Sequence, residues 1–257
     1  MNKLPVSVCM ISGAEAHRIG ASLESVVGWA GEIIVVLNDD VKDGTEEILR
    51  LHGANIFREP WKGHIAQKNS AARKAAHAWI LGLDADEVVS PRLRDEIQHL
   101  FAQKEELSRF AAFSFPRLAM FCGRWIRHGD WQPRHITRLW RKDMGEWGGV
   151  DPHDKLLVRG KVGKLHNHLL HYTAAEIDHQ LAKISGYTND FVRDALQRRR
   201  RATSLDLVFR PAWRFIRAYF FRLGFLDGWP GYYIAWMVAF EAITRYAKVR
   251  FAQEIAT

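Results

Sequence analysis

Residues 4–83 alternate short apolar runs with segments of helical periodicity, and that alternation admits few architectures. "VSVCMI" (Val6 to Ile11) and "EIIVVL" (Glu32 to Leu37) read as strands. The second is a continuous, largely β-branched run, as a sheet covered on both faces requires. Between them Ile19, Leu23, Val26 and Val27 recur at helical spacing. Asp43 and Thr45 are suited to cap a second helix, whose first turn holds Glu46 and Glu47 where the dipole favours acids. Gly53 offers its left-handed stop. "ANIFR" (Ala54 to Arg58) reads as a third strand, an Ala-rich helix is predicted over 65–77, and Trp79 to Leu83 as a fourth strand. Strand and helix in turn predict parallel βαβ units with right-handed crossovers.

Ligands in such sheets gather beyond the carboxyl ends of the strands. Three of those ends are polar: "NDD" (Asn38 to Asp40), "REPWKG" (Arg58 to Gly63) and "DADE" (Asp84 to Glu87). Crowded carboxylates repel one another, so the last raises the free energy of the empty protein unless a cation sits among them. Asp84 and Asp86, on alternate residues, are spaced to reach one hard cation, Mg²⁺ or Mn²⁺, which completes its shell with substrate phosphates. A solvated acidic turn is the bland alternative. Asn38 and Asp40 are placed to meet a nucleobase, or are simply turn residues. Gln67, Lys68, Asn69 and Arg73 at a helix start suit a diphosphate, or form a solvated face. "DPHDK" (Asp151 to Lys155) offers acids after a Gly-rich loop, where a base for an acceptor hydroxyl is needed. "KLHNHLLHY" holds His166, His168 and His171; alternation puts the first two on one face and the third on the other. That disfavours a zinc site and leaves one histidine available to a catalytic cation.

Residues 110–172 read as mixed sheet with loops, and the chain from Ala174 onward as helical and basic. The 257 residues, with a net charge of +8, accommodate a catalytic domain over 1–190 and a helical region over 191–257. That charge points to an anionic partner. In the basic tract, arginines such as Arg210, Arg214 and Arg217 mix with Trp213, Phe215, Tyr219 and Phe220. Such a mixture suits an anionic membrane surface, with nucleic acid as the rival partner and a solvated bundle as the bland reading. Cys9 and Cys122 form neither a disulfide framework nor a zinc spacing. Lys3 followed by Leu4 to Ile11 mimics a signal peptide, but the apolar run is short and holds Pro5 and Ser7. A cytoplasmic protein is expected, since no apolar run approaches the ~20 residues a bilayer span needs.

With these residues in view, the chain resembles the family 2 glycosyltransferases of GT-A fold, and more narrowly the β-1,4-glucosyltransferase-like enzymes of bacterial lipopolysaccharide core biosynthesis. The resemblance rests on "REPWKGHIAQKNSA", "LGLDADEVVSP", "GRWIRHGDWQPRHITRLWR" and "RLGFLDGWPG" with "RYAKV". It implies an α/β fold, a Rossmann-like mixed sheet flanked by helices with a helical basic C-terminal region. It implies a metal-dependent, inverting hexosyltransferase moving a sugar from a nucleotide sugar, typically a UDP-sugar, to a lipid-linked saccharide. The setting implied is the cell envelope: an enzyme peripheral on the inner face of the cytoplasmic membrane, with no nucleic-acid partner. By resemblance, Glu15, Asn38, Asp40, Gln67, Lys68, Asn69 and Asp84 meet the donor, while Asp86 with Asp84 forms the D-x-D that holds Mg²⁺ or Mn²⁺. Asp154 falls where relatives carry a Glu general base, with Asp151 in reserve. Trp131, Arg134 and Arg138 lie beside the acceptor. Relatives commonly read A-K-N-E after the first strand, whereas Ser12-Gly13-Ala14-Glu15 stands here. A sugar nucleotidyltransferase and a non-catalytic basic protein binding nucleic acid or another anion are the alternatives. "SGAEAHR" is a poor nucleotidyltransferase loop, and the binding protein leaves the D-x-D unexplained.

Overall fold

The computed structural model describes residues 3–150, 153–174, 177–198 and 200–255. The chain divides into two compact units, Met1–Arg117 with Arg134–His171, and Leu118–Pro133 with Tyr172–Thr257. The basic tract expected from residue 191 lies within the second.

The first unit opens β1 (Leu4–Ser12), α1 (Ile19–Val27), β2 (Ala30–Asn38), α2 (Thr45–Leu51), β3 (Asn55–Glu59), α3 (His64–Lys74) and β4 (Trp79–Gly82). It continues β5 (Glu87–Val89), α4 (Pro91–Ala102), α5 (Lys104–Ser108) and β6 (Ala112–Phe121). β7 (Arg124–Trp125) belongs to the second unit, and β8 (Arg134–Arg141), β9 (Gly145–Val150), β10 (His153–Val158), β11 (Val162–Lys164) and β12 (Leu169–Ala174) complete the strands. The main sheet runs β3-β2-β1-β4-β8-β6-β12-β5. β3, β2, β1 and β4 are parallel, as the βαβ alternation requires, and β8 turns the sheet mixed by pairing antiparallel with both β4 and β6. β9 and β10 form a separate hairpin.

Alternation along β2 explains its apolar run. Ile33, Val35 and Leu37 pack with Ile19, Leu23 and Val26 of α1 in one core cluster. Ile34 and Val36 point the other way, onto Ala71 and Ala75 beside Ile80 and Trp140. Each residue of the run therefore has a layer to bury against, and the run needs no polar face. Ala71 and Ala75 let the third helix approach closely on its side.

The second helix starts differently from the sequence expectation. Gly44, at φ +94°, precedes Thr45, and no side chain caps the helix. Asp43 instead accepts hydrogen bonds from the Thr45 and Ala16 amides, and Thr45 Oγ1 accepts from the Glu15 amide at 2.9 Å. These bonds fasten the loop after β1 to the start of α2. Gly53 does take the left-handed conformation, at φ +68°.

In the second unit, β7 closes back on Met120 and Phe121. Helices α6 (Ile177–Gln197), α7 (Ser204–Ile216) and α8 (Trp229–Ile255) follow, with a π-helical turn Arg217–Phe221 and a 3₁₀ turn Gly224–Asp227 between the last two. Phe121, Ile126, Ile184, Ile234 and Met237 form its main core. Asp130 holds the turn after α7, taking Arg217 at 2.8 Å and Arg222 at 2.7 Å. The mixed α/β sheet with helices on both faces, and the helical C-terminal region, are the GT-A arrangement expected from the sequence.

Candidate active site

Beyond β4 the chain turns at once: the Glu87 amide donates to Asp84 O at 3.0 Å, and the Asp84 amide donates to Glu87 Oε2 at 3.1 Å. Glu87 is fully buried. Two arginines hold it, Arg117 at 3.2 Å and Arg138 at 3.3 Å. Arg138 also donates to Asp84 Oδ2 at 2.6 Å, while Lys68 Nζ takes Asp84 Oδ1 at 3.0 Å and Asp154 Oδ2 at 2.9 Å. An alternating chain results: Asp154, Lys68, Asp84, Arg138, Glu87, Arg117. It answers the crowding of acids after β4, because each carboxylate has a cation against it. Burial pushes the Asp84 carboxyl up, but Arg138 and Lys68 outweigh it and hold the group well below the ordinary carboxylate range. Burial likewise works against the Arg138 charge, and the acids around it overcome that and raise its pKa.

Trp147 closes this chain from one side. Its ring lies 4.6 Å from Lys68 Nζ and 5.0 Å from the Arg138 guanidinium carbon, both cation–π contacts. Asn69 fixes it, donating to Trp147 O at 2.8 Å and accepting from the Trp147 amide at 2.9 Å. Gly82 leaves it room, since a Cβ there would stand 3.0 Å from Trp147 and 3.2 Å from Trp140. A small pocket lies here, lined by Cys9, Met10, Ile11, Lys68, Ala71, Gly82, Leu83, Asp84, Arg138 and Trp147. The Cys9 thiol points at Ala71 O and burial pushes its pKa up, so it is a packed thiol and no nucleophile.

Asp86 has different company. His171 Nε2 is 3.3 Å from Asp86 Oδ2, and Arg18 Nη1 is 3.5 Å from it. Arg18 also donates to Glu15 Oε1 at 2.7 Å, which joins the loop after β1 to the D-x-D. Burial raises the Asp86 pKa, but the His171 hydrogen bond and charge, with Arg18, leave it below the ordinary value. Pairing of β12 with β5 sets His171 opposite Glu87 and so delivers the imidazole. Among the described residues no group of three His, Cys, Asp or Glu is placed to hold a metal ion. A carboxylate and an imidazole nevertheless suit a divalent cation whose other ligands come from substrate oxygens and water. Asp86 with His171 fits that description; Asp84, with an oxygen on each of two cations, fits it less.

The structure brings Glu15, Lys68, Asp84, Asp86, Arg138 and Asp154 into one network. Gln67 is fully buried, and its amide nitrogen lies 3.5 Å from Asn38 Oδ1 at the end of β2. Gln67 Oε1 and Arg138 Nη1 have no hydrogen-bond partner among the described residues. Asn69 holds Trp147 in place. Asp40 and Arg134 are exposed, and Trp131 sits in the second unit with its ring 5.5 Å from Phe121. Asp151 lies outside the described residues. Of the three histidines, only His171 is on a strand: residues 165–168 precede β12, so the alternation expected for His166 and His168 does not arise. Sequence reasoning missed Arg18, Arg117, Trp147 and the burial of Glu87. Arg18 carried one signal, standing three residues after Glu15, a spacing at which helical side chains meet.

Residues 7–163 match the sequence profile described as Glycosyl transferase family 2. An uncharacterized glycosyltransferase of Rickettsia prowazekii (strain Madrid E) is 28% identical over 260 residues, covering 95% of this chain and 86% of that protein. The lipopolysaccharide core biosynthesis glycosyltransferase LpsC of Rhizobium meliloti (strain 1021) is 26% identical over 259 residues, covering 95% and 94%. Among solved structures, S. aureus TarS 1-349 aligns with a TM-score of 0.47 at 12% identity, over 99% of this chain and 92% of that one.

Proposed function

Because the chain belongs to glycosyl transferase family 2, we propose that it transfers a hexosyl unit, with inversion, from a nucleotide sugar to a lipid-linked saccharide of the lipopolysaccharide-core type. The observation that carries this reading is Lys68, whose one ammonium meets both the first acid of the D-x-D, Asp84, and the expected base, Asp154. Residues far apart in the chain thus converge beyond the carboxyl end of β4, where α/β sheets place ligands. The similarity to LpsC supports the acceptor class. UDP is the expected nucleotide.

In this reading Asp86 and His171 hold a divalent ion, Mg²⁺ or Mn²⁺. When bound, the ion supplies Lewis-acid stabilisation of the departing diphosphate. Lys68 and Arg138 add fixed positive charge where that diphosphate gathers negative charge. Gln67 Oε1 and Arg138 Nη1, buried without partners among the described residues, are an acceptor and a donor for the polar donor molecule. Asp154 accepts the proton of the acceptor hydroxyl as its oxygen attacks the anomeric carbon and the bond to the diphosphate oxygen breaks. Lys68 positions the base for that transfer. Asp151 remains the reserve base, and Trp131 and Arg134 the expected acceptor contacts. As part of the same reading the enzyme works peripherally at the inner face of the cytoplasmic membrane. Among the described residues no helix is long and apolar enough to cross a membrane. No observation in the site favours the nucleotidyltransferase or the nucleic-acid-binding alternative.

Thermal unfolding with UDP, GDP and dTDP, each with Mn²⁺ and again with EDTA, tests the donor site. Saturation at a hundred times the dissociation constant adds about 2.7 kcal/mol of stability. The expected result is a shift with UDP that needs Mn²⁺ and disappears in Asp86→Ala and in His171→Ala. Asp154→Asn is expected to keep that shift while turnover falls about 10²–10⁴-fold. Near-normal turnover in that variant would remove Asp154 from the mechanism, and no shift with any nucleotide would overturn the donor site.

A further inference from the structure

Helix α7 in the second unit is turned inside out. None of its residues is buried, and Leu205, Val208, Phe209 and Trp213 are 65%, 64%, 65% and 54% exposed. Counting from Leu205, Val208, Phe209, Trp213 and Ile216 stand three, four, eight and eleven residues on, positions that share one face of a helix, so they form a single stripe. Away from that stripe, Arg214 of α7 and Arg217 of the following turn pair with Asp130, which is 7% exposed, while Arg210 pairs with Asp206 along the helix. A helix that packs on its own core shows the opposite polarity. α8 repeats the pattern, with Tyr232, Trp236, Phe240 and Ile243 exposed along one line. Phe215 joins the two stripes, its ring 4.7 Å from Trp236. The turns between the helices add Phe221 and Leu226, and the start of α8 adds Trp229, at 69%, 57% and 50% exposure. Contiguous apolar surface of this kind marks an interaction site, whereas scattered exposed side chains would not.

Charge indicates what covers it. Arg200 and Arg201 are exposed just before α7, and Arg250 donates to Ser204 Oγ at 2.5 Å at that same end. Near the opposite end, the exposed Arg124 has its guanidinium against Gly228. Cations therefore stand at both ends of an apolar, Trp- and Tyr-bearing face. A two-fold pair of copies would set like patches together and bring arginine toward arginine. An anionic lipid surface presents the complementary charge, and Trp and Tyr favour the headgroup level. We propose that this face of the second unit docks on an anionic bilayer, with α7 and α8 lying in the interface plane and their apolar stripes in the acyl boundary. The proposal names a surface for the peripheral placement given above, yet it rests on the second unit alone and needs no donor chemistry.

The test is co-sedimentation of the full chain with vesicles of phosphatidylcholine alone, or with about one-third phosphatidylglycerol. The expected result is binding to the anionic vesicles, weaker by about tenfold or more on neutral ones and in high salt. Phe209→Glu/Trp213→Glu and, separately, Trp236→Glu should lose binding while keeping the wild-type melting curve. Arg200→Ser/Arg201→Ser should bind both vesicle types more equally. Equal binding of wild type and the glutamate variants would overturn the proposal. So would a lipid-free dimer in sedimentation equilibrium that Trp213→Glu dissociates, if vesicles are ignored, because the occupant is then a second copy. Vesicle indifference by a monomeric protein would overturn it as well. The nucleotide-induced melting shift, measured on the same samples, reports on the donor site independently of any of these outcomes.

Discussion

Burial pushes the Asp84 carboxyl up, and Lys68 and Arg138, each on one of its oxygens, more than offset that and keep it charged. Removing either cation leaves a charge that water cannot fully reach, and such a change costs more than the intact pair contributes. Arg138→Met should therefore destabilise the protein by about 3–5 kcal/mol in urea unfolding, since both Asp84 and Glu87 lose a partner. Glu87→Gln added to it should recover part of the loss, because one of the stranded charges is gone; a purely additive double variant would contradict this account. At this scale the D-x-D was legible, since acids after an apolar run at a strand end are unusual. The partners were not. Arg138, expected beside the acceptor, donates to Asp84, and nothing in the local pattern of "HITRLWR" indicates which acid β8 will carry it to. His171 shows the same limit from the other side. Its proximity to Asp86 comes from the pairing of β12 with β5, a long-range register that single-chain periodicity does not encode.

Among the elements, the fit of α3 against β9 decides the shape of the site. Asn69 exchanges two hydrogen bonds with the backbone of Trp147, which is 6% exposed, so the hairpin strand and the helix hold one another in register. Asn69→Ala leaves a buried N–H and a buried C=O unpaired, at about 1–3 kcal/mol each. The expected outcome is a lower melting temperature together with red-shifted, more quenchable tryptophan emission as Trp147 loosens over Lys68. Unchanged emission would show that the two cations alone hold the ring. The first four strands and the helices between them were legible because long β-branched runs and helical spacing are strong signals there. Residues 110–172 were not resolved into elements beforehand: short strands rich in aromatics and glycine leave too few periods to read. The start of α2 was misjudged for a related reason. Asp43 and Thr45 look like caps, yet their side-chain bonds are spent on each other and on the loop carrying Glu15.

Across the molecule, ion pairs with depressed carboxyls couple stability to pH. Glu59, bonded to Lys62, then Lys74 and Ser70, is lowered from 4.5 to about 2. Asp84 and Asp86 are lowered as well. A carboxyl with a depressed folded pKa is deprotonated in the native state while the unfolded chain still binds a proton. Stability from such groups is thus complete above the unfolded pKa and is lost as pH falls through the folded value. The melting temperature should be nearly flat on cooling the pH toward about 5 and fall steeply below it. Glu59→Gln should flatten the part of that fall lying between pH 4.5 and about 2. A melting temperature that began to fall well above that window would point to histidine, and would contradict the assignment.

The amino-acid sequence by itself determined the parallel half of the sheet, the helices that cover it, the acids at the end of β4 and the mixture of arginine and aromatics in the C-terminal helices. These are local properties: propensity, periodicity and the placement of charge after an apolar run. Only the tertiary structure decided that one lysine serves Asp84 and Asp154 together, that His171 stands by Asp86, and that the apolar side of α7 faces outward. Each of those depends on which distant segments pair and which face of an element finds the core. A helix of given amphipathicity can lie either way round, and the free energy that chooses is set by its neighbours.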